Sequence, residues 1–309
     1  MKPIRLKRPP CEVRVERGIL EKAGALLSPP DGGHRRFLWL CALPDAAPAP
    51  SALLPALSRA GHTVVRMPKD EISLSPADVD AILAVGDTEA LAAALRLAEE
   101  RFPALPAALV PTAFRAQLDF PVSACVGAVL CDPSLPVSEA DEKRGVVELI
   151  RYAVGFDCTL FDLLYTDFDR GALIRRCLAV RRDLLDAGKT DLLDRLGAPF
   201  GDALRVLLSD GGTDADFDSA DALATGLAAA TRYALKRGIC RRDFLSDLIG
   251  LLTYHGLPHS ALVSDEAFVA SLCRRLPPDG DRVLSLPRRL GECGLYEVDP
   301  AELVGLLPS

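Results

Sequence analysis

The chain has 309 residues, 49% of them hydrophobic and 26% charged, a balance that suits a soluble fold of up to two domains and excludes a disordered chain. A net charge of −7, with no basic stripe interleaved with aromatics, argues against nucleic acid as a partner. No apolar run is long enough to span a bilayer, and the basic start MKPIRLKRPPCEVRVE lacks the apolar centre of a signal peptide.

In chain order, EVRVE (12–16), RFLWLCA (36–42), TVVRM (63–67), AILAV (81–85), PAALV (106–110) and VGAVLC (126–131) are expected strands. Between them, residues 51–60, 76–80 and 88–100 have helical composition, and Pro- and Gly-rich loops fall at 29–33 and 43–50. Strands alternating with helices predict a parallel sheet with crossover connections. After about residue 137 the pattern changes to helical periodicity, over 143–165, 170–187, 218–237, 241–254 and 261–275. VLSLP (283–287) is a short strand candidate and PAELVGLL (300–307) a last helix. The expected fold is α/β: a Rossmann-like parallel-sheet domain over 1–137, then an all-helical domain over 138–309. A cleft between two such halves is the default place for a ligand.

The cysteines, at 11, 41, 125, 131, 158, 177, 240, 273 and 293, are odd in number and never spaced C-x-x-C. That predicts a reducing cytoplasm and neither a disulfide frame nor a structural zinc site.

Three stretches could carry chemistry. ILAVGDTEALAAAL (82–95) reads as strand, glycine, helix, where backbone N–H groups can meet a pyrophosphate. Its alternative is a tight turn at Gly86 with a helix capped by Asp87-Thr88. GGTDADFDSAD (211–221) places Asp214, Asp216 and Asp218 at alternate positions, as a calcium loop does, but Ser219 replaces the required glycine and Thr225 the bidentate glutamate. A solvated loop with a helix cap at Asp218 or Ser219 is the expectation. The histidines are 34, 62, 255 and 259; Gly256-Leu257-Pro258 separates the last two and rules out one metal-binding helix face.

Several stretches together resemble 3-dehydroquinate synthase. VPTAFRAQLD (110–119) is similar to that family's PTTLLAQVD, whose threonines and aspartate help hold NAD. CDPS (131–134) resembles a "vl-D-P" strand end, and GVVELIRYAVGFDCTLFDLL (145–164) the helix whose Glu binds the catalytic metal and whose Lys lies in the active site. HGLP (255–258) and LPRRLGEC (286–293) match recurring features of its C-terminal part. The resemblance implies a dehydroquinate synthase-like fold and a lyase of the shikimate (aromatic amino-acid) pathway. In that chemistry NAD transiently oxidises a seven-carbon sugar phosphate while a divalent metal on one Glu and two His polarises the alcohol oxygen.

Carried over by position, the resemblance assigns Glu71, Gly86, Asp87, Thr112 and Asp119 to the cofactor, Glu148 to the metal, and Arg151 and Asp202 to catalytic positions. Much of the rest is replaced. Gly86 alone stands for a triple glycine, Leu74 for a cofactor lysine, and Ala113 for the second threonine. FPVSACV (120–126) replaces a lysine- and glycine-rich stretch, and Arg151 stands at the active-site lysine. The histidines of a G-H-T-x-G-H-A segment correspond to Ala198 and Asp202, the third metal-ligand position to Ser219, and the late D-K-K roughly to Arg275-Leu276-Pro277. No histidine occurs between 63 and 254.

The expectation is therefore a degenerate, pseudoenzyme form of the family in the cytoplasm, with the divalent metal lost and NAD binding weak or lost. An active enzyme with a divergent site, and a module that only binds a nucleotide, are the alternatives. A hard-ion site on Glu148, Asp202 and Asp218 or Asp221 is a further alternative. The partners considered are a second copy of the chain and another shikimate-pathway protein, with no nucleic acid and no membrane.

Overall fold

Strands with no polar face predict burial on both sides, and the sheet places them accordingly. A computed structural model describes residues 2–67, 75–166, 168–209, 217–276 and 282–307. Seven strands form one sheet: β1 (Ile4–Lys7), β2 (Pro10–Val15), β3 (Arg36–Cys41), β4 (Thr63–Arg66), β5 (Ala81–Gly86), β6 (Ala107–Pro111) and β7 (Val126–Cys131). Their order is β1-β2-β7-β6-β5-β3-β4, parallel throughout except that β1 runs antiparallel to β2. AILAVG and AALVP, buried at every residue, hold β5 and β6, as continuous apolar runs in a parallel sheet require. At the margin, β1 buries Leu6 and leaves Arg5 and Lys7 exposed, a charged edge that discourages pairing with another chain.

Crossovers are made by α1 (Ala23–Leu27), α2 (Pro48–Arg59), α3 (Thr88–Arg101) and α4 (Phe114–Leu118). β3 leads through α2 outward to β4, and the chain then returns to the other side of β3 as β5. The strand order therefore reverses between β3 and β5. Such a reversal opens a crevice at the carboxyl ends of the strands, the usual ligand position in doubly wound sheets.

The remaining elements are α5 (Glu139–Gly155), α6 (Cys158–Leu163), α7 (Arg170–Ala187), α8 (Asp191–Asp194), α9 (Ala198–Ser209), α10 (Ser219–Lys236), α11 (Arg242–Tyr254), α12 (Asp265–Arg275) and the hairpin of β8 (Val283–Arg289) with β9 (Glu292–Glu297). The chain forms two compact units, Met1–Glu142 with Asp169–Ala187, and Lys143–Phe168 with Gly188–Ser309. Each unit draws on two separate stretches of the chain. α7 belongs with the sheet: Leu173, Ile174, Cys177 and Leu178 are buried, and Arg175 donates to the Val15 carbonyl (3.4 Å).

The second unit is mostly helical. Its tightest packing joins α9 to α10, where a Cβ built on Gly226 would lie 2.3 Å from the Gly197 carbonyl oxygen and 2.5 Å from the Gly201 nitrogen. Only glycine allows that approach. The expected single helix over 143–165 is two, because Asp157 breaks it and caps α6 by accepting from the Thr159 N–H (3.2 Å). The expected helix at 300–307 is one 3-10 turn, Pro300–Leu303. Among the described residues no helix is long and apolar enough to cross a membrane.

Candidate functional site

The strand reversal holds a cleft of about 260 Å³. Leu43, Ala47, Pro48 and Ala49 enter it from the loop after β3 and the start of α2, Asp87 from the end of β5, and Thr112 and Ala113 from the end of β6. Leu135, Pro136 and Asp141 complete the lining. Among the described residues no lysine or arginine lines it.

Local chemistry explains each position. A Cβ on Gly86 would stand 2.6 Å from the Ala90 Cβ, so the glycine lets α3 pack closely on its own strand. Gly86 also accepts from the Thr112 N–H (2.9 Å), which ties the ends of β5 and β6 together. The Asp87 carboxylate accepts from the Ala90 N–H (2.9 Å) and caps α3. That bond uses a donor a pyrophosphate would otherwise meet at the helix N-terminus. Leu135 and Pro136 are held in place by Arg170, which donates to the carbonyls of Pro133 (3.4 Å) and Leu135 (3.3 Å), pairs with Glu142 (2.6 Å) and covers the Phe114 ring.

Of the residues assigned to the cofactor, the structure thus gathers Asp87 and Thr112, with Gly86 directly behind them. Asp119 is not in the lining. Its carboxylate pairs with Arg181 of α7 (3.1 Å), and Arg181 also donates to the Phe120 carbonyl (2.6 Å) and stacks over the Phe120 ring at 4.8 Å. Glu71 lies outside the described residues. Asp132 of CDPS is structural: it accepts from the N–H groups of Gly18 and Ser134 (3.0 Å each) and from the Ser134 hydroxyl (2.5 Å).

The residues that the resemblance assigns to the metal and to catalysis lie in the second unit. Glu148 and Arg151, one turn apart on α5, form a buried ion pair (2.6 Å), with side chains only 2% and 7% exposed. Arg151 also donates to the Leu193 carbonyl (3.4 Å). Asp202 is exposed on α9. Asp218 and Asp221 form a reciprocal capping box on α10, and Lys143 meets Asp221 at 2.7 Å and Asp218 at 3.8 Å. Among the described residues no three His, Cys, Asp or Glu side chains are grouped to hold a metal ion. The hard-ion set of Glu148, Asp202 and Asp218 or Asp221 is therefore not assembled. A guanidinium already neutralises Glu148, so these residues do not fit a zinc-type ion.

The histidines have other work. α11 ends at Tyr254, Gly256 adopts a φ of 65°, and the His255 Nε2 lies 2.9 Å from the Leu164 carbonyl oxygen. Burial lowers the His255 pKa below its ordinary value, against the smaller opposite effect of that hydrogen bond. His259 neighbours Arg232, which donates to its carbonyl (2.8 Å). Asp214 and Asp216 of the acidic loop lie outside the described residues, while Asp218 caps α10 as expected.

Sequence reasoning missed the apolar wall and Arg181. The Pro/Ala-rich loop at 43–50 was the available signal for the wall, since loops after strands line such crevices. Nothing distinguishes Arg181 from its neighbour Arg182 in the sequence.

No model of a known protein family matches the chain. A 3-dehydroquinate synthase from Clostridium kluyveri is 24% identical over 191 residues, 58% of this chain and 53% of the relative. The chain spans about half the length of the curated relatives it matches. Among solved structures, a 2-deoxy-scyllo-inosose synthase complexed with carbaglucose-6-phosphate, NAD+ and Co2+ aligns with a TM-score of 0.76 at 17% identity, covering 99% of this chain and 98% of that one. A 2-epi-5-epi-valiolone synthase from Streptomyces hygroscopicus, with NAD+ and Zn2+ bound, aligns with a TM-score of 0.71 at 16% identity, covering 95% and 94%. The sheet order, the mostly helical second unit and these likenesses together show that the chain has the fold of the dehydroquinate synthase-like sugar phosphate cyclases.

Proposed function

We propose that the chain is a catalytically degenerate form of its family, kept as a folded partner in the shikimate pathway rather than as a working lyase. The buried Glu148–Arg151 pair carries this reading. A carboxylate satisfied by a guanidinium in its own helix has no need of a metal. Breaking that pair to admit one would take the carboxylate away from a buried guanidinium, at a cost of several kcal/mol. The family's metal polarises the alcohol that NAD oxidises, and no other described cluster offers a Lewis acid site.

NAD binding is proposed to be weak for a separate reason: Asp119 is engaged by Arg181, and no described cation faces the cleft. The protein is proposed to work in the cytoplasm, as a homodimer or beside another protein of the pathway.

A turnover assay tests the proposal. Purified protein with NAD+, Zn2+ or Co2+ and the seven-carbon sugar phosphate should form no 3-dehydroquinate above a protein-free control. Steady product formation, or rescue of a strain lacking the synthase, overturns it.

A further inference from the structure

We propose that Tyr165 and Tyr254, exposed on the second unit beside Asp247, form a docking surface for an arginine-bearing basic segment of a partner protein. The inference goes beyond the proposed loss of turnover, because none of these residues is assigned to the cofactor, the metal or catalysis.

The surface forms where the chain leaving α6 meets α11, both in the second unit. The Tyr165 and Tyr254 rings lie 5.1 Å apart, tilted by 56°, and Tyr254 is 60% exposed. Leu163, two positions before Tyr165, is exposed as well. Lone apolar residues are ordinary on a folded surface, but two rings in contact and both open to water make a patch. The rings are also held still. The Tyr254 hydroxyl donates to the Tyr165 carbonyl (3.3 Å), the Phe161 ring lies 5.9 Å from that of Tyr165, and the His255 ring meets Tyr254 edge-on at 5.1 Å. A platform fixed in advance gives up little side-chain freedom on binding.

Charge selects the occupant. Asp243, Asp247, Gly250 and Tyr254 follow one another at helical spacing and share one face of α11, while Arg242 falls outside it. Asp243 is paired with Arg241 (3.3 Å), which leaves Asp247 as the acid nearest the rings. A Cβ built on Gly250 would stand 3.6 Å from the Tyr165 hydroxyl and meet no other packed atom within 4 Å, so the face is low and open there. Burial raises the Tyr165 pKa, and the Asp247 charge raises it further, so the acid acts at the ring. Negative ring faces and a carboxylate together attract a cation, and a planar guanidinium can stack on a ring while it pairs with the acid. Two rings on an open surface do not enclose a small molecule, which favours a guanidinium carried by a protein segment. Tyrosine and arginine are also the side chains that most often anchor protein interfaces.

Calorimetry on the intact protein at low salt tests this with tetra-arginine, tetra-lysine and tetra-glutamate peptides as probes. Tetra-arginine should bind, tetra-lysine several-fold more weakly, and tetra-glutamate not at all. Tyr254→Ala and Asp247→Asn should each weaken tetra-arginine binding about fivefold. Asp247→Asn changes only an exposed side chain, so it carries the test if Tyr254→Ala loosens the chain after α6. Glu100→Gln, which removes an exposed charge from α3 in the first unit, should change binding by less than about twofold. The absence of heat with tetra-arginine overturns the proposal, as does tetra-lysine binding equally well. Equal weakening by Glu100→Gln overturns it too, since that would be attraction to the net negative charge alone. Turnover in the lyase assay would sink the proposed degeneracy and leave this surface untouched, so the two failures are read separately.

Discussion

Arg181 of α7 lies 3.1 Å from Asp119 although 62 positions separate them in the chain, and it binds the next residue's carbonyl and ring as well. An acid that the family resemblance assigns to the cofactor is here a fastener between the sheet unit and its late helix. Arg181→Ala should lower stability by about 2 kcal/mol, because a mostly buried pair and a cation–π contact are lost together. Arg181→Lys should recover little, since an ammonium cannot make the forked contact. Urea unfolding of the two variants checks both, and an alanine variant as stable as the parent would remove the fastening role.

Glu148→Gln should cost about 3 kcal/mol by leaving the Arg151 guanidinium buried against a neutral amide. The double variant Glu148→Gln, Arg151→Met should be closer to the parent than the single one, because both charges are gone. Thermal unfolding of the parent with and without added Zn2+ or Co2+ should give the same midpoint. A rise that depends on metal concentration would mean that Glu148 binds an ion after all.

Gly226→Ala should be among the most damaging single methyl additions, costing about 2 kcal/mol or more, since its Cβ would fall on the backbone of α9. Gly127→Ala is the control. A Cβ there meets nothing within 4 Å, so the change should be neutral or stabilise by a few tenths of a kcal/mol. Denaturation midpoints of the pair separate close helix packing from a general intolerance of alanine.

Buried thiols set an alkaline limit. Burial pushes the Cys11 thiol up to about 12, against an ordinary value of 9.0, and Cys240 and Cys293 up to about 11. The folded values exceed the unfolded one, so the folded state favours the neutral thiol. Their contribution to stability is complete below about pH 9 and is lost progressively as pH rises through 11 to 12. Stability measured from pH 8 to 11 should therefore fall on the alkaline side, and Cys11→Ser with Cys240→Ser should flatten that slope. At pH 8 the exposed Cys158 should be alkylated well before Cys11 or Cys240.

The sequence disclosed the parts whose signal is local. β3, β5 and β7 were legible from their unbroken apolar runs, and α7 from its periodicity. β1 was not, because Arg5 and Lys7 at an edge strand interrupt any apolar pattern. β9 escaped too: ECGLYE buries no residue fully, and its partner β8 supplies the apolar face. α9 was hidden inside GAPFGDALR, where Pro199 in the first turn and Gly201 against α10 look like loop residues. At the candidate site, types and positions were readable, as with Thr112 and the Asp87 cap. What Asp119 and Glu148 bind instead was not, because Arg181 is distant in sequence and Arg151 reads as a simple stand-in for lysine.

The place of α7 has a consequence for how the protein is made. Every strand of the large sheet has been synthesised by Cys131, yet Arg175 and Asp186, which reach back to Val15 and Lys7, are added only afterwards. A nascent chain ending at Glu142 holds the whole sheet but lacks the helix that packs on β1. Completing the first unit therefore depends on contacts spanning about 160 residues, a non-local closure that slows folding. Until it happens, the growing chain presents an uncovered apolar flank to whatever chaperone attends it.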